Sequence, residues 1–325
     1  MRSTSLLVFA SILAIAPWST AAADGPKKGQ IKNLVTFGDS YTDVGGPAGS
    51  SNNGTQWPVY VADYAHVSLF PFARSGAACS DQLTPKAGPY LMQNELPEYF
   101  SATGNGSIKV KPDETIYTLW IGTNDLGVNA ILNNEVKNNA TIVDVTKCAV
   151  GWVNTLYKSG ARNFLYQNII PLQRTPLYQV DSYLSRYWSA PRNSTAWNLM
   201  IDQLAVGGNA IAELMLQALP ASLPDAHIGL FDSHSLFNDI LDHPSKYLNG
   251  SAPLNVTGSA HGCRFDVYES TSGVDGNCTD AEGTAVDSFA WYDEIHPSEQ
   301  SDRVVAREIA NVISGKGSKW ATWYS

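Results

Sequence analysis

Ser40 closes the run Gly38-Asp39-Ser40 just past a stretch of apolar residues, and a second acid, Asp43, follows three positions later. Far downstream, Gly122-Thr123-Asn124-Asp125 follows another apolar run, and Asp293 stands three residues before His296. A serine alcohol is a weak nucleophile at neutral pH. To attack an ester it needs a neutral imidazole to take its proton and a carboxylate to hold that imidazole in the right tautomer. Ser40, His296 and Asp293 are the residue types for those three parts. The oxyanion formed in the attack needs donors already aimed at it. The Ser40 N–H at the start of a helix, a glycine N–H and the Asn124 amide would fit. Each stretch alone has a plainer reading, as a turn, a helix N-cap or one of several acid–histidine spacings such as Asp239 with His243. Their joint occurrence, each at the end of an element, favours chemistry.

Those elements alternate. Residues 33–37, 115–122, 163–170 and 226–232 are continuous apolar runs ended by Gly, Asn, Asp or Pro and predict buried strands; 67–73 predicts another, weakened by Pro71. Apolar residues at three- and four-residue spacing predict helices over 141–158 and 194–219, and a last one with Pro297 in its first turn and Val304, Val305, Ile309 and Ile313 on its buried face. Strand and helix in alternation predict one doubly wound parallel sheet covered on both faces. In such a sheet ligands gather beyond the carboxyl ends of the strands, where Ser40 and Asn124 lie. Residues 242–288 predict a long excursion stapled by a cysteine pair.

The chain has 325 residues, 44% of them hydrophobic, and a net charge of −9. That acidity argues against nucleic acid as a partner. Residues 1–23 predict a secretory signal peptide: Arg2, an eleven-residue apolar run too short to span a bilayer comfortably, then small residues offering cleavage near Ala22 or Ala23. Residues 24–325 then form a single domain with no membrane span, expected to be monomeric. Secretion agrees with seven Asn-x-Ser/Thr sequons, at Asn53, Asn105, Asn139, Asn193, Asn249, Asn255 and Asn277. It also agrees with four cysteines, which allow three pairings. Cys263 with Cys278 closes the shorter loop and is favoured, leaving Cys79 with Cys148.

The stretches "FGDSYTDVG" (37–45), "GTND" (122–125) and "DEIH" (293–296) resemble three sequence blocks of the GDSL family, also called SGNH hydrolases, over roughly residues 33–313. The resemblance implies a flavodoxin-like three-layer α/β/α fold and ester hydrolysis without a metal or other cofactor. It implies Ser40 as nucleophile and oxyanion donor, Asn124 as side-chain oxyanion donor, His296 as base and Asp293 as its orienting partner. "PFARSGAACS" (71–80) resembles the family's Asn-Phe-Ala-x-x-Gly block and implies Gly76 as a further oxyanion donor, with Pro71 standing where the family has Asn. A plainer role for Gly76 is a turn that needs positive φ. "TLWIGTNDLG" and "DEIHPS" in a sequon-bearing chain resemble fungal acetylesterases of carbohydrate esterase family 16. That implies removal of acetyl groups from hemicellulose oligosaccharides and other small acetylated sugars. Trp57, Trp120 and Trp291 lie near these blocks and are candidate platforms for a sugar face, though a buried indole is equally ordinary.

Rival readings fit less well. Lipases and phospholipases share the same blocks and would take longer acyl chains. A metallophosphoesterase needs more ligands than the chain presents near Asp39, Asp43 and Asp125, because the first histidine is His66 and the 122–125 stretch has none. A glycosidase needs two opposed carboxylates, which no spacing here marks. A non-catalytic carbohydrate-binding protein would not need Ser40, Asn124, Asp293 and His296 together. In the esterase reading Asp39, Asp43 and Asp125 anchor their loops.

Overall fold

The computed structural model describes residues 25–45, 49–86, 88–271 and 276–324. The proposed signal peptide lies outside them. Five short parallel strands form the centre: β1 (Asn33–Gly38), β2 (Ser68–Pro71), β3 (Thr115–Trp120), β4 (Asn163–Gln167) and β5 (His227–Phe231). Their order is β2-β1-β3-β4-β5, and a strand that the sequence reading did not mark, Ala321–Tyr324, adds antiparallel to β5. This is the flavodoxin-like doubly wound order, and its reversal point lies between β1 and β3. Pro71 is tolerated because β2 is the edge strand among the described residues, with none of them beyond it to receive an N–H.

Helices cover both faces, as the alternation predicted. Leu34, Ile116 and Leu165 point to the side covered by α1 (Trp57–Ala65), which packs closely on a C-terminal helix, Glu299–Ile313. Val35, Phe37, Tyr117, Leu119 and Phe164 point to the other, where α2 (Leu96–Gly104) and later Ala149, Val153 and Leu156 of a 17-residue helix, Ile142–Lys158, complete the core. Between α2 and that helix a single turn, α3 (Thr123–Leu126), follows β3; we therefore number the long helix α4. Helix α5 (Ser194–Ala218) is long enough to cross a bilayer, but it buries Ile201, Leu204, Ala212 and Leu216 against this core. Helix α6 (Ser233–Asp242) follows β5, and the C-terminal helix is α7.

The last helix starts later than expected. Ser298 caps it by accepting the Ser301 N–H, so Pro297 stands before the helix and not in its first turn. The 242–288 excursion carries β6 (Asn255–Ser259) and the hairpin β7 (His261–Arg264) with β8 (Asn277–Asp280), which contains the Cys263–Cys278 disulfide; β6 pairs with β9 (Phe289–Trp291), and the terminal strand is β10. Cys79 and Cys148 form the other disulfide, so the favoured pairing is the one observed.

At the end of β1 the chain passes so close to β3 that only glycine fits. Gly38 has φ of 140°, and a Cβ there would lie 2.1 Å from the Trp120 carbonyl oxygen. Gly38→Ala is therefore expected to lower stability by about 2 kcal/mol or more. Thermal unfolding with the disulfides intact measures it, and an unchanged Tm would contradict this account of the turn.

Candidate active site

The sheet's reversal point brings together two of the three stretches. Beyond β1, Asp39 turns the chain: its N–H donates to the Trp120 carbonyl (3.2 Å), its carboxylate accepts the Tyr41 N–H (3.0 Å), and its carbonyl accepts those of Thr42 and Asp43. Ser40 therefore sits in a tight turn and not at the start of a helix as the sequence suggested. Asp43 accepts the Gly45 N–H (3.0 Å) and the Ser75 N–H (2.7 Å), tying this turn to the one that holds Gly76. Beyond β3, buried Asp125 accepts the Cys79 N–H and the Thr84 hydroxyl (2.6 Å). The three acids anchor loops, as expected for an arrangement in which they do no chemistry. Burial pushes the Asp39 carboxyl up to about 7 and the Asp125 carboxyl up to about 6, the hydrogen bonds opposing it.

The third stretch arrives from the far end of the chain. After β9 the segment 292–296 folds on itself, with the Tyr292 N–H on the His296 carbonyl (2.8 Å) and the Ile295 and His296 N–H groups on Asp293 Oδ1. His296 Nδ1 lies 2.9 Å from Asp293 Oδ2, and His296 Nε2 lies 2.7 Å from Ser40 Oγ. A carboxylate only accepts, so Nδ1 carries the proton and Nε2 is left to accept from the serine hydroxyl. Tyr41 holds this geometry from below. Its hydroxyl donates to the Ile295 carbonyl (2.8 Å), and its ring meets the His296 ring edge-on. Burial opposes a charged ring, but the Asp293 charge and hydrogen bond outweigh it and hold His296 above its ordinary pKa. Asp293 in turn sits below the usual carboxylate range; burial works against this, and the charge and hydrogen bond of His296, joined by the Tyr187 hydroxyl, prevail.

Ser40, Gly76, Asn124 and His296 line one cleft of about 590 Å³. Among the described residues, no acceptor takes the N–H of Ser40 or of Gly76. Gly76 has φ of 78°, so the turn and the free amide are served by the same glycine. Asn124 Nδ2 donates one hydrogen to the Ala77 carbonyl (3.0 Å) and keeps a second. The cleft has further polar walls that no motif marked. Tyr187 donates to Asp293 Oδ2 (2.6 Å), Lys86, Arg186 and Tyr292 reach the cleft from loops, and His261 reaches it from the start of β7. The loop at 50–55 is tied to the site by the Ser51 hydroxyl on the Ser40 carbonyl (2.6 Å) and to α7 by Asn52 on Asp302 (2.6 Å).

The three tryptophans are not there. Trp57, Trp120 and Trp291 are fully buried, and their indole N–H groups are spent on Thr42 Oγ1, the Asn168 carbonyl and the Val256 carbonyl. They are core pillars and not sugar platforms: Trp57 and Trp120 meet edge to face, and Trp291 stacks on Phe237.

A serine hydroxyl, an imidazole and a carboxylate in hydrogen-bonded series at the carboxyl end of a doubly wound sheet, beside three unsatisfied donors, define a carboxylic ester hydrolase. The chain belongs to the GDSL-like lipase/acylhydrolase family, whose family model matches residues 34–309. It is 30% identical to an acetylesterase of Hypocrea jecorina, over 90% of this chain and 92% of that protein. It is 24% identical to an acetylesterase of Thermothelomyces thermophilus, over 87% and 89%. Among solved structures it is similar to an acetylxylan esterase of Geobacillus stearothermophilus, at 15% identity and a TM-score of 0.41, over 88% of this chain and 95% of that one.

An imidazole can accept a serine proton only when neutral. Because His296 is held above the ordinary 6.5, the acid limb of kcat/KM should have its midpoint above that value. Asp293→Ala should move the midpoint down and lower kcat by roughly 10⁴-fold. A pH–rate profile of the two proteins checks both, and a wild-type midpoint at or below 6.5 would contradict the assignment.

Proposed function

We propose that this protein is a secreted serine acetylesterase that removes acetyl groups from hemicellulose-derived oligosaccharides and other small acetylated sugars. The observation that carries the chemistry is the hydrogen-bonded series Ser40–His296–Asp293 at 2.7 and 2.9 Å, facing a cleft with three available donors. His296 Nε2 takes the proton of Ser40 Oγ as that oxygen bonds to the acetyl carbonyl carbon. The Ser40 N–H, the Gly76 N–H and Asn124 Nδ2 hold the resulting oxyanion. As the C–O bond to the sugar breaks, the His296 ring returns its proton to the departing alcohol, leaving an acetyl ester on Ser40. Water, deprotonated by the same ring, attacks that ester, and the ring returns the proton to Ser40 Oγ as acetate leaves. No metal or other cofactor enters the scheme.

The acetyl and sugar parts of the proposal rest on two supports. Acetylesterases are among the relatives similar over nearly the whole chain. Most residues lining the cleft are also polar, among them Ser50, Asn53, Asn129 and Arg186, set beside apolar groups such as Val128, Leu177 and Ile295. Hydroxyl-rich ligands suit such a wall, and a long acyl chain needs an apolar slot. Secretion, with 1–23 as a removed leader and 24–325 as one domain, is supported by the two disulfides. Six sequon asparagines are exposed; Asn255 is half-buried, its Oδ1 accepting from Thr257 and Gly258.

The test is acetate release from acetylated xylo-oligosaccharides, set beside p-nitrophenyl butyrate and palmitate, with and without a chelator. The proposal expects acetylated sugars to be preferred, the chelator to change nothing, and Ser40→Ala to lose about 10³-fold or more. Preference for palmitate would place the protein among lipases using the same machinery.

A further inference from the structure

Lys86 is a cation that the scheme above does not use. It is half-buried in the cleft wall, and its Nζ meets an amide and not a carboxylate: Nζ donates to Asn124 Oδ1 at 2.7 Å. Its backbone is fixed as well. The Lys86 N–H donates to the Tyr90 hydroxyl (3.1 Å), that hydroxyl donates back to the Lys86 carbonyl, and Tyr90 is itself buried.

An ammonium has hydrogens to give and no lone pair, so the atom it meets must be the amide oxygen. The Ala77 carbonyl, on the other side, can only accept, so the atom it meets must be Nδ2. The two contacts demand the same rotation of the Asn124 amide and exclude its flipped form. With one Nδ2 hydrogen held by Ala77, the other is left for the cleft shared with Ser40 and Gly76. The charge on Lys86 also draws density toward Oδ1, which makes the remaining N–H a stronger donor.

We propose that Lys86 is a positioning residue of the hydrolase: its ammonium locks the Asn124 amide with Nδ2 toward the oxyanion and strengthens that N–H. The inference rests on reading Asn124 as an oxyanion donor. Lys86 touches neither substrate nor reacting atoms in this role. It acts through Asn124, and only when charge develops on the carbonyl oxygen. Burial lowers the ammonium's pKa, and the charges of Asp125 and Asp39 oppose that shift and favour the charged form.

The experiment is a kinetic cycle on p-nitrophenyl acetate with wild type, Lys86→Met, Asn124→Ala and the double variant. It is paired with inhibition by an alkylboronic acid, which forms a tetrahedral anionic adduct on the serine. Lys86→Met should lower kcat by about tenfold to a hundredfold with KM within about twofold, and weaken boronate binding by the same factor. In the Asn124→Ala background the same substitution should cost nothing further, because the group it acts through is gone. Lys86→Arg should restore most of the rate, and neutral Lys86→Gln only part. A normal kcat in Lys86→Met beside a crippled Asn124→Ala overturns the role of Lys86 alone, as does an undiminished loss in the Asn124→Ala background. A normal kcat in Asn124→Ala overturns the oxyanion reading and this proposal with it. Should Lys86→Met fail to fold, equal rates in Lys86→Arg and Lys86→Gln overturn the proposal.

Discussion

The 2.7 Å contact between Ser40 Oγ and His296 Nε2 joins residues 256 positions apart, and much of the architecture can be understood as what that contact requires. A hydrogen bond of this kind tolerates errors of only a few tenths of an ångström. Neither partner lies in a helix or strand, so each must be fixed by its neighbours. On the serine side the fixing is done by the Gly38 approach to β3 and by the carboxylate and backbone of Asp39. On the histidine side it is done by Asp293, which receives two backbone N–H groups, the imidazole and the Tyr187 hydroxyl. Tyr41 joins the halves directly, with its backbone in the serine turn and its hydroxyl on the histidine loop.

Buried acids recur through this arrangement as structural groups. Glu95 accepts the Gly38 N–H (2.9 Å), Asp125 orders the loop that carries Cys79 and Thr84, and Asp302 holds Asn52. Glu294, beside Asp293, takes the Tyr183 hydroxyl (2.7 Å) and the Cys263 N–H (2.8 Å), which ties the disulfide-stapled hairpin to the histidine loop. An acceptor that takes two or three donors orders a loop that has no ladder of its own, which is how a site made of turns becomes rigid. The excursion after α6 thus serves as a brace for His296.

Much of this was legible in the sequence, for identifiable reasons. Central strands β1, β3, β4 and β5 are buried on both faces and so are written as unbroken apolar runs. Helices α4, α5 and α7 bury one stripe and show it. The short elements escaped: α1 and α2 open on Trp57-Pro58 and Leu96-Pro97, where proline suggests a break, and β10 is too short to carry a period, whereas α6 carries one in Leu236, Phe237, Ile240 and Leu241 that went unread. Ser40, Asn124, Asp293 and His296 stood out because their neighbours also carry a pattern, whereas Lys86 and Tyr187 come from loops whose reach depends on tertiary structure. The tryptophans misled because nearness in sequence to a motif does not fix the direction of a side chain. Trp120 shares parity with Ile116, four residues earlier, and both face the same helix layer.

The central claim is that Ser40 is the nucleophile and that His296 makes it one. Labelling with a fluorophosphonate, followed by mass spectrometry of the digested protein, tests both halves at once. The account predicts one adduct on the peptide that carries Ser40, loss of esterase activity in step with labelling, and no adduct at a comparable rate in His296→Ala. An adduct on another residue, or full activity retained after Ser40 is completely labelled, would contradict it.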